Sequence, residues 1–260
     1  MSRESLNNTL LNFVHLTDSH LGNNYSDQYK GLKTFESLRS VCLLIQASHT
    51  DLDFILVTGD ISQTGTKESY ALFQSILAEF KIPVYCLPGN HDDANLIQSL
   101  YPDSPVEHVS FIQLKRTILI LINTAVLNEE FGFVKPEHLS EISNYLDQNP
   151  SKSAIVAMHH PVISTNTPWM DKITVQNAEL VYKYFQQQEN IKLVLNGHAH
   201  MDIKTKTSGT TFISTPSTCY QFKPGAETTE YDTLSPAYRL VSVEKNFDIS
   251  TKLFRINLRN

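Results

Sequence analysis

Five short stretches of this 260-residue chain carry side chains that could hold metal ions. They are Asp18-x-His20, Gly59-Asp60, Gly89-Asn90-His91-Asp92, His159 and Gly197-His198-x-His200. Carboxylate, amide oxygen and imidazole are all metal ligands, and no cysteine stands among them. That donor set suits manganese, iron or zinc and speaks against a closed structural zinc site. Two residues at i and i+2 of an extended turn can face one side and grip one ion. Asp18, His20, Asp60, Asn90, His159, His198 and His200 make seven ligands. Seven is too many for one tetrahedral ion and suits two ions that share Asp60.

Each stretch follows a segment that reads as a strand. Phe54-Ile55-Leu56-Val57-Thr58 is a continuous apolar or β-branched run, the pattern of a strand covered on both faces. Gly59 then allows a sharp bend, which leaves Asp60 at the carboxyl end of the strand, where open α/β sheets place their ligands. Leu11 to Leu16, Pro83 to Leu87, Ala154 to Met158 and Ile191 to Leu195 precede the other four stretches in the same way. Taken alone, an HxH triplet or a Gly-Asn turn is ordinary. Accident is a poor explanation of the same arrangement at five strand ends. His15, His49, His108 and His138 lie in strands, helices or loops with no partner motif and read as structural histidines. His160, next to a ligand, reads as structural or as supporting that ligand.

Helical spacing appears at Leu32, Phe35, Leu38, Cys42 and Ile45, and again at Tyr70, Phe73, Leu77 and Phe80 with Thr66 as N-cap. This βαβαβ order predicts parallel pairing. Phe111 to Leu114 and Thr117 to Asn123 predict a hairpin. Pro136 opens a helix with Leu139, Ile142 and Leu146 inward, and Val175, Ala178, Val181, Tyr182 and Phe185 mark another. After residue 200 the pattern is strands only, at Ile203 to Thr207, Thr211 to Ser214, Arg239 to Val243 and Ile249 to Phe254. Gln221 to Pro236, rich in Pro, Gly, Thr and acids, reads as a loop or arm. The expectation is an α/β fold of two mixed sheets flanked by helices, a four-layer αββα sandwich. It forms a single domain over residues 1–260, with 221–260 a C-terminal arm and strands.

The net charge of -6 argues against a broad nucleic-acid surface, though bound metals can still attract a phosphate. Cys42, Cys86 and Cys219 are odd in number and widely spaced, which suggests reduced thiols in a cytosol. Met1 to Thr9 lacks a signal-peptide core, and runs such as Ile118 to Ile122 are too short to span a bilayer. A cytoplasmic protein without a membrane partner is expected.

The series D-x-H, G-D, G-N-H-D, H and G-H-x-H resembles the calcineurin-like metallophosphoesterase superfamily. Trp169-Met170-Asp171-Lys172, Gln176-Asn177-Ala178, Ser214-Thr215-Pro216-Ser217-Thr218-Cys219 and Ala237-Tyr238-Arg239 resemble its bacterial class III cyclic-nucleotide phosphodiesterases. The resemblance spans roughly residues 11 to 255. It implies that Asp18, His20, Asp60 and His200 hold one metal, and that Asp60, Asn90, His159 and His198 hold the second. The pair would be Fe/Mn, with zinc the alternative. It implies that His91 binds no metal and faces the phosphate, so the catalytic residues would be His91, Asn90 and Asp60. His91 could instead merely hold its loop by bonding Asp18 or Asp92. The implied reaction opens 3′,5′-cyclic AMP to 5′-AMP by in-line attack of a metal-bridging hydroxide, the chemistry two ions at ~3.5–4 Å support. Other small phosphodiesters, 2′,3′-cyclic nucleotides among them, are the alternative substrate. A non-catalytic scaffold is the alternative from another class, and it sits poorly with a complete ligand set. The resemblance also implies Asp where Asn123 stands, and an arm from Gln221 to Arg239 that shapes the pocket and packs in a homodimer.

Overall fold

The computed structural model describes residues 9–256, so the polar stretch before Thr9 lies outside the described residues. The chain runs β1 (Thr9–Leu16), a short hairpin of β2 (Gln28–Tyr29) and β3 (Leu32–Lys33), α1 (Thr34–Ser48), β4 (Phe54–Thr58), α2 (Lys67–Leu77), β5 (Val84–Leu87) and α3 (Ala94–Leu100). The second half runs β6 (Ser110–Leu114), β7 (Thr117–Ile122), α4 (Pro136–Asp147), β8 (Ser153–Met158), α5 (Ala178–Gln187) and β9 (Ile191–Asn196). Strands then follow alone: β10 (Ile203–Thr207), β11 (Thr210–Ser214), β12 (Gln221–Phe222), β13 (Tyr231–Asp232), β14 (Ala237–Glu244) and β15 (Ile249–Arg255).

Two mixed sheets result. The first has the order β15-β14-β1-β4-β5 and the second β10-β11-β9-β8-β7-β6. β1, β4 and β5 are parallel neighbours, as are β7, β8, β9 and β11. The period-2 alternation of each strand divides its side chains between two cores. On β4, Phe54 and Leu56 join Phe13, Leu121, Ile155 and Leu195 between the sheets. Ile55 and Val57 face the other way, against Leu38 and Ile45 of α1 and Phe73 of α2. In the second sheet Ile120 and Val156 face Ile142 of α4 and Phe185 of α5. Helix, sheet, sheet and helix therefore stack as the expected four layers.

Local signals explain the helix starts. The Thr66 side chain caps α2 by accepting from the Ser69 amide, and Pro136 occupies the first turn of α4. Leu32 and Val175, predicted within helices, lie before them, and Phe80 lies after one. Helix α3 was not foreseen, because seven residues are too few to show a period. It is started by Asp93, whose carboxylate accepts from the amides of Asn95 and Leu96. The arm carries the short β12–β13 hairpin. β14 pairs with β1 and β15 with β14, so the tail strands find their partner sheet within this chain. Among the described residues no helix is long and apolar enough to cross a membrane.

The inter-sheet layer is the part on which both sheets depend. Phe13 and Phe54 stack there with ring centroids 4.4 Å apart, both essentially without solvent contact. Phe13→Ala is expected to lower the free energy of urea unfolding by roughly 3–5 kcal/mol. A loss below about 1 kcal/mol, the scale of an ordinary substitution, would show that this layer is not packed as described.

Candidate metal centre

The parallel strands bring the five stretches together. Asp18 and His20 follow β1, Asp60 follows β4, and Asn90 and His91 follow β5, three neighbours in one sheet. His159 follows β8 and His198 and His200 follow β9, neighbours in the other. The carboxyl ends of both sets meet over the inter-sheet layer. The turns there take unusual backbone conformations. Asp18, His20, Asp60, His198 and His200 all have positive φ, between 45° and 63°. This left-handed region is sparsely used by residues other than glycine, though Asp and His tolerate it better than most. Gly89 lies so close to the Asp60 carboxylate that any side chain there would collide with it.

Around the first group, His20 Nε2 and His200 Nε2 stand 3.2 Å apart. Asp18 Oδ1 lies 3.3 Å from His200 Nε2, and Asp60 Oδ2 lies 3.7 Å from His20 Nε2. The other nitrogen of His200, Nδ1, donates to the Tyr220 carbonyl at 2.8 Å. A carbonyl only accepts, so Nδ1 is the donor there and Nε2 is the nitrogen turned toward His20 and Asp18. Around the second group, His159 Nδ1 donates to the Thr58 carbonyl at 2.7 Å, which leaves Nε2 facing Asn90 Oδ1 at 3.2 Å and Asp60 Oδ2 at 3.4 Å. His198 Nε2 is buried and has no hydrogen-bond partner. Asp60 belongs to both neighbourhoods, and Asp18, Asp60 and His159 also approach within 4.8 Å through one ligand atom each.

The electrostatics are those of carboxylates withdrawn from water. Burial alone would push Asp60 up, but the imidazoles of His159, His91 and His20 outweigh it and hold its carboxyl well below the usual range. Asp18 is likewise pushed up by burial and brought below its ordinary value by His200. Burial lowers His159, yet Asp60 raises it more, to about 9. His20 goes down to about 3, chiefly through burial, and His198 falls well below its ordinary value for the same reason.

The neighbours hold this frame. Asp92 accepts from the amides of Ile61, Ser62 and Gly89 and from the Tyr70 hydroxyl, all at 3.0–3.1 Å, and so anchors the Asn90-His91 turn to the Asp60 turn. His91 Nδ1 lies 3.0 Å from the Gln63 carbonyl. The alternative in which the His91 ring bonds Asp18 or Asp92 is not seen. His160 is held at both nitrogens, by Thr124 Oγ1 at 2.8 Å and the Glu130 carbonyl at 3.1 Å, as a structural histidine is. Asn123 bonds the Val106 carbonyl and the Ala125 amide, away from the cluster. His49, His108 and His138 bond Tyr238, Glu141 and the Glu107 carbonyl respectively, consistent with structural roles.

Sequence reasoning missed three contributors. Tyr220 and Gln63 offer backbone carbonyls, which carry no residue signal, and also side chains, the Tyr220 ring 4.7 Å from that of His200 and Gln63 Nε2 3.3 Å from His91 Nδ1. His15 was read as isolated, yet it is fully buried and bonded to Thr58 and Thr215. A cleft of about 280 Å³ opens beside His20 and Gln63, walled by Asn23, Asp27, Tyr29 and Thr64. A larger groove of about 670 Å³ lies along Leu139, Leu180 and Tyr184 but holds none of the clustered ligands.

The donor set fits two cations. Buried imidazole nitrogens and carboxylate oxygens converge there, and the unpartnered His198 Nε2 needs a Lewis acid or a donor.

Comparison with known proteins agrees. The profile of the calcineurin-like phosphoesterase family matches residues 11–202. A 3′,5′-cyclic-nucleotide phosphodiesterase of Nostoc sp. is 30% identical over 95% of this chain and 92% of its own length. A 3′,5′-cyclic adenosine monophosphate phosphodiesterase, CpdA, of Vibrio vulnificus is 28% identical over 98% of this chain and 93% of its own. Among solved structures, a dimetal phosphatase from Danio rerio aligns with a TM-score of 0.68 at 12% identity, over 94% of this chain and 98% of its own, a likeness of fold. Members of this family use two metal ions, and this chain has His and Asp clusters that could hold them. The chain belongs to the calcineurin-like phosphoesterase family and is a metal-dependent hydrolase.

Proposed function

We propose that this protein hydrolyses 3′,5′-cyclic AMP to 5′-AMP at a dimetal centre. Asp18, His20, Asp60 and His200 hold one ion, and Asp60, Asn90, His159 and His198 hold the other. The observation that carries this reading is the 3.2 Å approach of His20 Nε2 and His200 Nε2 beside the Asp18 and Asp60 carboxylates. The names of the two curated relatives supply the substrate. Oxygen and imidazole donors without thiolate favour iron and manganese, with zinc the alternative. Three buried free cysteines support a cytoplasmic place of action.

When bound, the ions activate a water and neutralise charge on the phosphoryl oxygens. The protein does the rest. Asp60, sharing its carboxylate between the two neighbourhoods, fixes their spacing, and its Oδ1 is itself fixed by the His91 amide at 3.0 Å. His91 Nδ1 is engaged by Gln63, with the carbonyl at 3.0 Å and the side-chain amide nitrogen at 3.3 Å. Nε2 is thus the nitrogen left to donate to the phosphoryl group or to the leaving 3′ oxygen. Proximity alone would also allow His91 as a ligand, since one of its nitrogens lies within 4.8 Å of ligand atoms of His20 and Asp60. Metal stoichiometry separates the two roles.

Three outcomes are expected. In a screen of cyclic nucleotides and small phosphodiesters with manganese, iron and zinc, kcat/KM is highest for 3′,5′-cyclic AMP. A clear preference for 2′,3′-cyclic nucleotides would overturn the substrate while leaving the centre intact. Asp60→Ala loses at least one metal per chain and nearly all turnover. Two metals retained in elemental analysis would remove its bridging role. His91→Ala keeps its metals while kcat falls by ~10²–10³, the scale for one such donor or acid, and KM changes far less. Metal lost in proportion to activity would make His91 a ligand or a loop anchor.

A further inference from the structure

We propose that His15 is a positioning residue of the metal centre, the middle of a one-way hydrogen-bond chain that runs from the Arg239 guanidinium to Oδ2 of Asp18 and so decides which oxygen of that carboxylate faces the ions. This rests on the dimetal reading above, and it concerns groups which that reading leaves unused.

The links are short and consecutive. Arg239 Nε lies 3.0 Å from Thr215 Oγ1, and Thr215 Oγ1 lies 2.8 Å from His15 Nδ1. His15 Nε2 lies 2.7 Å from Thr58 Oγ1, Thr58 Oγ1 lies 2.9 Å from Thr17 Oγ1, and Thr17 Oγ1 lies 2.7 Å from Asp18 Oδ2. Both ends fix the direction. A guanidinium has no acceptor, so Arg239 donates, and an ionised carboxylate has no proton, so Asp18 accepts. Each hydroxyl has one proton to give. Thr17 gives its proton to Asp18, so it must receive from Thr58, which in turn must receive from His15. His15 therefore carries its proton on Nε2 and accepts at Nδ1 from Thr215. Only the neutral ring can do both. Burial, reinforced by Arg239, depresses His15 to about 3, which keeps it neutral. Thr17 has one competing acceptor, the Thr58 carbonyl at 3.2 Å, but the charged Asp18 oxygen is nearer at 2.7 Å and takes the stronger bond.

No group in the chain is more than 3% exposed, so water does not compete for any link. Aligned donors polarise one another, and the last bond to the carboxylate is the one strengthened. Oδ2 is thereby occupied by the Thr17 hydroxyl, while the His198 amide is shared between the two oxygens, 3.1 Å from Oδ2 and 3.2 Å from Oδ1. Oδ1 is left toward His200 Nε2 at 3.3 Å, where an ion belongs. Arg239 is itself held by Asp202, by the Ser214 carbonyl and by Thr251. The chain thus joins β14, β1 and β4 of the first sheet to Thr215, the residue after β11 of the second.

The test measures metal affinity, with manganese or zinc alone titrated against a chelating dye, on the full chain. His15→Leu is expected to hold one of its two ions about 10–100-fold more weakly, the usual cost of losing a group that orients a ligand. His15→Gln, whose amide has both a donor and an acceptor, restores most of that affinity. Thr215→Val, which touches neither Asp18 nor the ions, gives a partial loss. Adding His15→Leu to Thr17→Val costs nothing beyond Thr17→Val alone, because the chain is already cut. Should His15→Leu fail to fold, the two valine variants carry the same comparison. Wild-type affinity in His15→Leu, or in both valine variants, overturns the proposal. Equal losses in His15→Leu and His15→Gln overturn it as well, since bulk rather than bonding would then matter. A wild-type chain that binds neither metal would overturn the dimetal reading itself.

Discussion

Two carboxylates without water set the terms for this molecule. Asp18 and Asp60 sit at the ends of adjacent parallel strands, and each is 2% exposed or less. Withdrawing a carboxylate from water is costly unless charge and hydrogen bonds replace the solvent. The replacement here is an arc of imidazoles drawn from both sheets, His20 from the same sheet and His159, His198 and His200 from the other. His159 pairs with Asp60, and His200 with Asp18. The sheets must therefore dock for either carboxylate to be tolerated as an ion. Metal binding completes what the imidazoles begin, which couples the site to the fold.

Delivering those groups takes backbone that a regular strand cannot supply. Five of the proposed ligands have positive φ, and each such residue costs of order 1–3 kcal/mol in local strain. The cost is carried by the frame around them. The Asp18 amide donates to the Gly59 carbonyl and the His20 amide to the Asp60 carbonyl, so the two first-sheet turns brace each other. The His198 amide reaches across to Asp18 itself. Strain and side-chain position thus share one set of bonds, and a turn that relaxed would misplace its carboxylate or imidazole.

Much of this was legible in the sequence. The five stretches that cluster were readable because each follows an apolar run, and the αββα layers because β4 and β7 are apolar but for Thr58 and Thr117 while the helices keep their 3.6 period. What escaped at the site has a common physical cause. Gln63 and Tyr220 contribute main-chain carbonyls, which leave no mark on the sequence, and side-chain contacts that only the fold creates. His15 looked isolated because its partner Thr215 is 200 residues away and Thr58 is 43 away. The parity of β1 does place it, for Phe13 faces the inter-sheet layer and His15 is two residues on. A polar ring on that face, next to a ligand turn, is a signal that periodicity could have given. The short α3 escaped for a different reason, since seven residues are too few to show a period.

The tail shows why a site made of early residues still needs the end of the chain. β1 supplies Asp18 and His20, yet its far edge would be open without β14, which pairs with it from Thr9 to His15. An apolar edge left unpaired invites association with another chain. The same strand carries Arg239, opposite His15 in the ladder. Ladder register and hydrogen-bond chain are then one constraint. A slip of β14 by one residue would turn Arg239 to the other face and take the guanidinium from Thr215. The first strand is thus held in its functional setting by the penultimate one. The centre is assembled only when contacts some 200 residues apart in sequence have formed, a topology in which the closing contacts come at a high entropic cost and hold the site together as a unit.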